Sequence, residues 1–282
     1  MKAKTLSLAL ILICLPLWSK AASVTFTLSL DTTSDPGATY TGHHAAGAGL
    51  QSTFVVGFNV TPLNIGGTPV SSGPIAAFCI ELASSISATT YTFDASPLYQ
   101  AAVAKAGQAG TASSAIPSGG IGPLRAARVA WLFDNYYQSS DLSSWTQTTA
   151  EPRIHAFQLA LWELSHDTDF SMSSTSGDVY IGSQGDTLRD NAIALAQIWL
   201  DAAAGANITP AYQSQNFDLW ALTSVTGNTD GQGFQDVILA LESNTEPHNE
   251  LTPLLPTPQI PEPSTPLFVV SALGAFLLHR RR

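Results

Sequence analysis

The sequence predicts an α+β domain whose strands flank a group of helices. Three observations predict this class. Apolar residues that alternate or run together, as in strands, come first; segments with helical periodicity follow; strand-like segments then return. We expect an antiparallel β-sandwich or barrel-like sheet with an inserted helical segment.

The strand predictions rest on alternation and on short apolar runs. Every second residue from Val24 to Leu30 is apolar, which predicts a half-buried strand over residues 23–30. Residues 31–49 are rich in Gly, Thr and Asp and predict a loop. Further strands are predicted over residues 54–60, 75–82, 91–93, 217–225 and 234–241.

Three helices are predicted between these two groups of strands. Pro123 is suited to the first turn of one helix. A second helix is predicted to begin near Thr149, with an apolar stripe from Ile154 to Leu164. For the third, Asp186 is a good N-cap and Gly205 a good C-cap.

Residues 1–21 predict a secretory signal peptide. Lys2 and Lys4 give a positive start, residues 6–18 are apolar, and Ser19 and Ala21 are the small residues expected before a cleavage site. The apolar run is shorter than the ~20 residues that a spanning helix needs. We therefore expect cleavage by signal peptidase before Ala22.

Residues 261–282 combine a Pro-Glu-Pro turn, an apolar run and a basic end. The residues that carry this pattern are Pro261, Glu262, Pro263, Arg280, Arg281 and Arg282. The pattern resembles the PEP-CTERM sorting signal. The resemblance implies transient anchoring in the inner membrane through a short C-terminal helix and processing by an exosortase. It also implies a cell-surface or matrix location in a Gram-negative bacterium that makes exopolysaccharide.

The part between these ends is predicted to be one globular domain, residues 22–243, followed by a Pro-rich linker, residues 244–260. Residues 22–260 contain five basic and 20 acidic residues, a net charge of −15. This acidity argues against nucleic acid or an anionic membrane surface as a partner. It is typical of a soluble exported domain.

Two residues of the domain are candidates for shared chemistry. Cys14 would leave with the signal peptide, so Cys79 would be the one cysteine of the mature chain and an internal disulfide is excluded. A buried apolar thiol is its simplest interpretation. Gln158 lies on the apolar face of the second predicted helix, where a buried amide must be bonded. A backbone group and the Cys79 thiol are both candidate partners.

The segments Phe78-Cys79-Ile80 and Gln158-Leu159-Ala160-Leu161-Trp162 resemble the two motifs of the thioester domains of bacterial surface adhesins. The resemblance implies a bond between the Cys79 sulfur and the side-chain carbonyl of Gln158. A surface amine or hydroxyl would attack that bond and become attached. Phe157 stands where the family often has Thr. His155 is a candidate helper in proton transfer, although a surface location is the simpler expectation for both His155 and His166.

Three functions stay open. The first is a covalent adhesin or matrix cross-linker that uses Cys79 and Gln158, with surface amines or extracellular polysaccharide as targets. The second is a structural exopolysaccharide or biofilm protein without a thioester, and the third is a Cys-dependent hydrolase. The sequence has no G-x-S-x-G, H-E-x-x-H or paired zinc cysteines, so we expect no enzyme activity.

A divalent cation is a further alternative for one cluster. His166, Asp167 and Asp169 follow the second predicted helix closely. Helix capping and solvation also explain these residues, so we expect neither a metal ion nor a cofactor.

Overall fold

The computed structural model describes residues 22–30, 37–43, 51–55, 57–65, 68–71, 75–80, 90–101, 121–173, 177, 179–224 and 236–242. The predicted signal peptide, linker and sorting tail lie outside these residues and stay predictions. The strands and helices within the described ranges are β1 Ala22–Leu30, β2 Ala38–His43, β3 Gln51–Val55, β4 Phe58–Ile65, β5 Thr68–Ser71, β6 Ile75–Cys79, β7 Thr90–Pro97, α1 Gly122–Tyr136, α2 Arg153–His166, β8 Tyr180–Ile181, α3 Thr187–Gly205, β9 Phe217–Ser224 and β10 Val237–Glu242. None of these helices has the length and apolar character needed to cross a membrane.

The strands form two antiparallel sheets. The larger has the order β1-β7-β9-β10-β6-β4-β5, and β4 also pairs with β1. Six of its strands therefore close into a ring, as the barrel-like expectation requires. The smaller sheet has the order β3-β2-β8. The predicted combination of helices with antiparallel sheets is confirmed.

The helices are inserted between β7 and β9, and α2 lies at their centre. It packs against α1 and α3 on the helical side and against β3 and β6 on the sheet side. All its residues from Ile154 to His166 are buried. A helix enclosed in this way must find partners inside the protein for each of its polar side chains.

Several element boundaries differ from the predictions. The predicted strand over residues 54–60 is divided into β3 and β4 near Gly57, where a Cβ would lie only 2.8 Å from a methyl carbon of Leu142 and 2.9 Å from one of Ile154. The predicted loop over residues 31–49 contains β2. The second helix begins at Arg153 rather than near Thr149.

The later start of α2 has a local cause. Thr148 and Glu151 exchange backbone hydrogen bonds of 3.2 and 3.1 Å and form a turn, and Pro152 follows as the N-cap. The third helix starts as predicted, because the Asp186 side chain accepts the Arg189 N–H at 3.0 Å.

Candidate functional site

Cys79 is the last residue of β6, in the interior of the larger sheet. It lies opposite Val237 of β10, and all five residues of β6 are buried. The next residue, Ile80, continues the contact with the β10 side by donating its N–H to the Asp236 carbonyl at 2.9 Å. Cys79 itself is 3% exposed, so its thiol is in an apolar interior.

Gln158 reaches Cys79 from α2. Its side-chain Nε2 donates to the Cys79 carbonyl oxygen at 2.6 Å, and its Oε1 accepts the Cys79 N–H at 2.9 Å. The amide thus pairs with one residue of the strand as a neighbouring peptide group would, and both of its polar ends are bonded. The two residues predicted to act together are brought together, and the backbone partner predicted for the buried amide is Cys79.

The residues before Cys79 and Gln158 hold this contact in place. The rings of Phe78 and Phe157 lie 4.7 Å apart between centroids. Phe133 and Trp145 add edge contacts to Phe157 at 5.0 and 5.3 Å. Aromatic pairs of this kind contribute about 0.5–1.5 kcal/mol each beyond their buried area. Phe157, which departs from the thioester-domain pattern, is here the anchor of α2 on β6.

His155 is buried, which corrects the expectation of a surface histidine. Its Nδ1 lies 3.0 Å from the hydroxyl of Tyr40, and the two rings meet edge to face at 5.8 Å. Tyr40 is fully buried on β2. Sequence reasoning missed Tyr40 because β2 was predicted as loop, although it is the one large aromatic residue between positions 31 and 49.

His166 is also buried, and it does not join the two acids with which it was grouped. Its Nδ1 lies 3.0 Å from the Trp162 carbonyl, one turn back, and 3.0 Å from the Ser165 hydroxyl. The expectation of a surface location was wrong for both histidines for one reason, namely that α2 is enclosed on all sides.

A second polar cluster lies at the C-terminal end of α2. Glu163, Asp167 and Asp169 each bring a carboxylate oxygen within 4.8 Å of the others. Glu163 takes the place predicted for His166, and its spacing of four residues from Asp167 is the signal that would have found it. Burial, followed by the charge of Asp167 and the contact with Asp169, raises the pKa of Glu163 to about 9.

Comparison with known proteins adds little to this geometry. No protein-family model matches the sequence, and no curated protein does. Among solved structures, the chain is similar to the N-terminal domain of the Streptococcus pyogenes pilus tip adhesin Cpa. The identity is 14% and the TM-score 0.37, over 67% of this chain and 84% of that one. A likeness of this size carries no argument about function.

Proposed function

We propose that this chain is an exported surface protein in which Cys79 and Gln158 form an internal thioester for covalent attachment to a target. One observation carries the proposal. The amide of Gln158 is tied at both ends to the backbone of Cys79, in a site from which solvent is excluded. A buried amide is thereby held against the residue whose thiol would attack it.

The chemistry balances without a cofactor. The Cys79 thiol loses its proton, Sγ attacks the Gln158 carbonyl carbon, and the bond from that carbon to Nε2 breaks. The amide nitrogen takes up the proton and leaves as ammonia. The Cys79 N–H, which already bonds to Oε1 at 2.9 Å, would stabilise the negative charge that develops on that oxygen.

His155 is the proposed proton carrier for this step. The thiolate is the reactive form of cysteine, so the reaction requires a proton acceptor. His155 is one turn before Gln158 on α2, and its Nδ1 is engaged with Tyr40. The Tyr40 hydroxyl would fix the orientation of the His155 ring during proton transfer.

Burial of the site supports a long-lived bond. Apolar side chains surround Cys79 and Gln158, which are 3% and 1% exposed. Water would hydrolyse an exposed thioester. A surface amine or hydroxyl of a target, including a polysaccharide hydroxyl, would react once, when it gains access to the carbonyl carbon. The product is an amide or ester of the Gln158 side chain and a restored Cys79 thiol.

The two ends of the chain carry the predicted signals for export and for cell-surface sorting. Export would remove residues 1–21, and exosortase processing near Pro261 would release the protein from the inner membrane. The test is the mass of the terminal peptides of protein recovered from cells. Peptides that begin at Ala22 and end upstream of the apolar run support the proposal, and an intact Arg280–Arg282 end contradicts it.

A second candidate is a structural matrix protein of the same fold without the covalent bond. It is favoured by one observation, that both polar ends of the Gln158 amide are already satisfied by the Cys79 backbone. Such an amide could serve only to bind α2 to β6. A Cys-dependent hydrolase would instead require turnover of an ester or amide that is lost in Cys79→Ala.

Methylamine labelling separates the two candidates. Digestion with trypsin gives a fragment from Ile154 to Arg189 that contains both Gln158 and Gln184. The thioester predicts a methylamide on Gln158 and none on Gln184, which is the internal control. Labelling should disappear in Cys79→Ala. A fragment that stays unlabelled in the wild-type protein would leave only the structural candidate.

A further inference from the structure

The C-terminal end of α2, beyond Gln158, carries a group of acids that the thioester does not use. Glu163 is in the last turn of the helix, Asp167 is its C-cap, and Asp169 is in the loop that follows. One carboxylate oxygen from each lies within 4.8 Å of the others. Ca²⁺ takes oxygen ligands at about 2.3–2.6 Å, so oxygens bound to one ion lie within about 5 Å of each other.

A separate observation points to a ligand at this place. Glu163 is 1% exposed, and no hydrogen-bond donor reaches its Oε2 within the described residues. The other oxygen, Oε1, accepts the Ser171 N–H at 3.0 Å, and the same N–H lies 3.1 Å from Asp169 Oδ1. A buried carboxylate oxygen that lacks a donor is costly, so this oxygen requires either a proton shared with a neighbouring acid or a cation that displaces the proton.

Backbone groups of the loop that follows α2 orient the Asp167 carboxylate. Asp167 Oδ1 accepts the Thr168 N–H at 2.7 Å, and its Oδ2 accepts the Val179 N–H at 3.3 Å. Gly177 lies so close to Asp167 Oδ2 that a Cβ at this position would clash. Asp167 is therefore oriented by backbone groups, as metal-binding carboxylates commonly are.

We propose that Glu163, Asp167 and Asp169 bind one divalent cation, and that this cation is Ca²⁺. The donors are all carboxylate oxygens, which suits a hard cation. They come from a helix end and a loop and do not form a regular octahedron of protein ligands, and Ca²⁺ tolerates such irregular geometry better than Mg²⁺. The bound ion gives Glu163 Oε2 its missing partner and fastens the end of α2 to the following loop.

Calcium binding to the purified chain tests this proposal. Metal is removed with a chelator, and CaCl₂ is then titrated while binding is followed by calorimetry and by native mass spectrometry. We expect one Ca²⁺ per chain and a rise in the thermal midpoint. The affinity should fall more than about tenfold in Glu163→Gln and in Asp169→Asn. Glu151→Gln, which removes a partly exposed carboxylate before the start of α2, is the matched control and should bind as the wild type does.

The metal-free proteins show whether Glu163 has a merely structural role. A bound ion explains the cluster only if Glu163→Gln is at least as stable as the wild type in chelator and fails to gain stability from calcium. A variant that is destabilised equally with and without calcium would overturn the proposal. So would a wild-type protein that binds no Ca²⁺, or that binds Mg²⁺ alone.

Discussion

The two ends of α2 bury polar groups in opposite ways. Near its start, the neutral amide of Gln158 is matched by one donor and one acceptor of the Cys79 backbone. Near its end, the Glu163 carboxylate has a donor for one oxygen, none among the described residues for the second, and two other acids close by. The helix is equally enclosed at both places, so the difference lies in charge rather than in burial.

This contrast shows what each end requires. An amide carries its own donor and acceptor, and a strand backbone can satisfy both. An ionised carboxylate accepts only, and three of them together repel one another unless a proton or a cation intervenes. The first end is therefore complete as a packing contact and is available for chemistry between its two residues. The second is complete only when a proton or a cation lies between the acids.

The largest effect should come from Phe157, which anchors α2 on β6. Phe157→Ala removes the ring that packs on Phe78, Phe133 and Trp145, and we expect the free energy of unfolding to fall by about 3–5 kcal/mol. Chemical denaturation measures it. Ile198→Ala, at a position that is 61% exposed, is the control and should change the value by less than about 0.5 kcal/mol. Equal losses in the two variants would mean that α2 is not anchored at Phe157.

The amide end should be sensitive to loss of its polar group. Gln158→Met keeps a similar volume but leaves the buried N–H and C=O of Cys79 without the partners that Gln158 supplies. Because thioester formation would remove Nε2, the substitution is made in Cys79→Ala, which keeps the amide intact. Relative to Cys79→Ala alone, we expect a loss of about 1–3 kcal/mol in the free energy of unfolding, measured with the same denaturant series. A neutral result would show that the two hydrogen bonds are not formed in solution.

Substitution at the acidic end should leave the thermal midpoint unchanged or raise it. Glu163→Gln replaces a carboxyl by an amide of the same shape and removes one member of the crowded group. In chelator, the thermal midpoint should stay the same or rise, whereas that of Gln158→Met falls. If both substitutions lower the midpoint equally in chelator, the two ends do not differ in the way that their charges require.

The smallest effect on the free energy of unfolding is expected at Tyr40, which bonds to His155. Tyr40→Phe removes the hydroxyl that bonds to His155 and should cost about 0.5–1.5 kcal/mol. If His155 carries the proton, the rate at which a chain isolated unfolded, before any thioester has formed, gains methylamine reactivity on folding should also fall. Tyr99→Phe, at a partly buried hydroxyl bonded to Gln100, should leave that rate unchanged. Identical rates in the two variants would remove His155 from the mechanism.

The sequence predicts much of this arrangement and fails where tertiary contacts decide. Apolar periodicity and end caps locate α1 and α3 well. The position of Gln158 on an apolar face predicts that its amide finds a partner, and the resemblance to the thioester motifs indicates Cys79 as that partner. The strand that carries Tyr40 was missed because its short Thr- and Gly-containing run has no strand alternation.

The acids and histidines of α2 show a second limit of sequence reasoning. His155 and His166 were expected at the surface because they are polar, and Glu163 was not singled out. All three are buried because β2, the neighbouring helices and the loop after α2 close over them. Local sequence does not encode this enclosure, and the third member of the acidic cluster was therefore missed.

The most direct test of the central claim is the mass of the digested protein, purified without reductant or amines and cleaved under acidic conditions. With trypsin at mildly acidic pH, where the enzyme keeps part of its activity, the account predicts a linked pair of fragments, one ending at Lys105 with Cys79 and the other running from Ile154 to Arg189 with Gln158, lighter by one ammonia than their sum. Two separate fragments of full mass, with Cys79 open to alkylation after unfolding, would contradict the thioester.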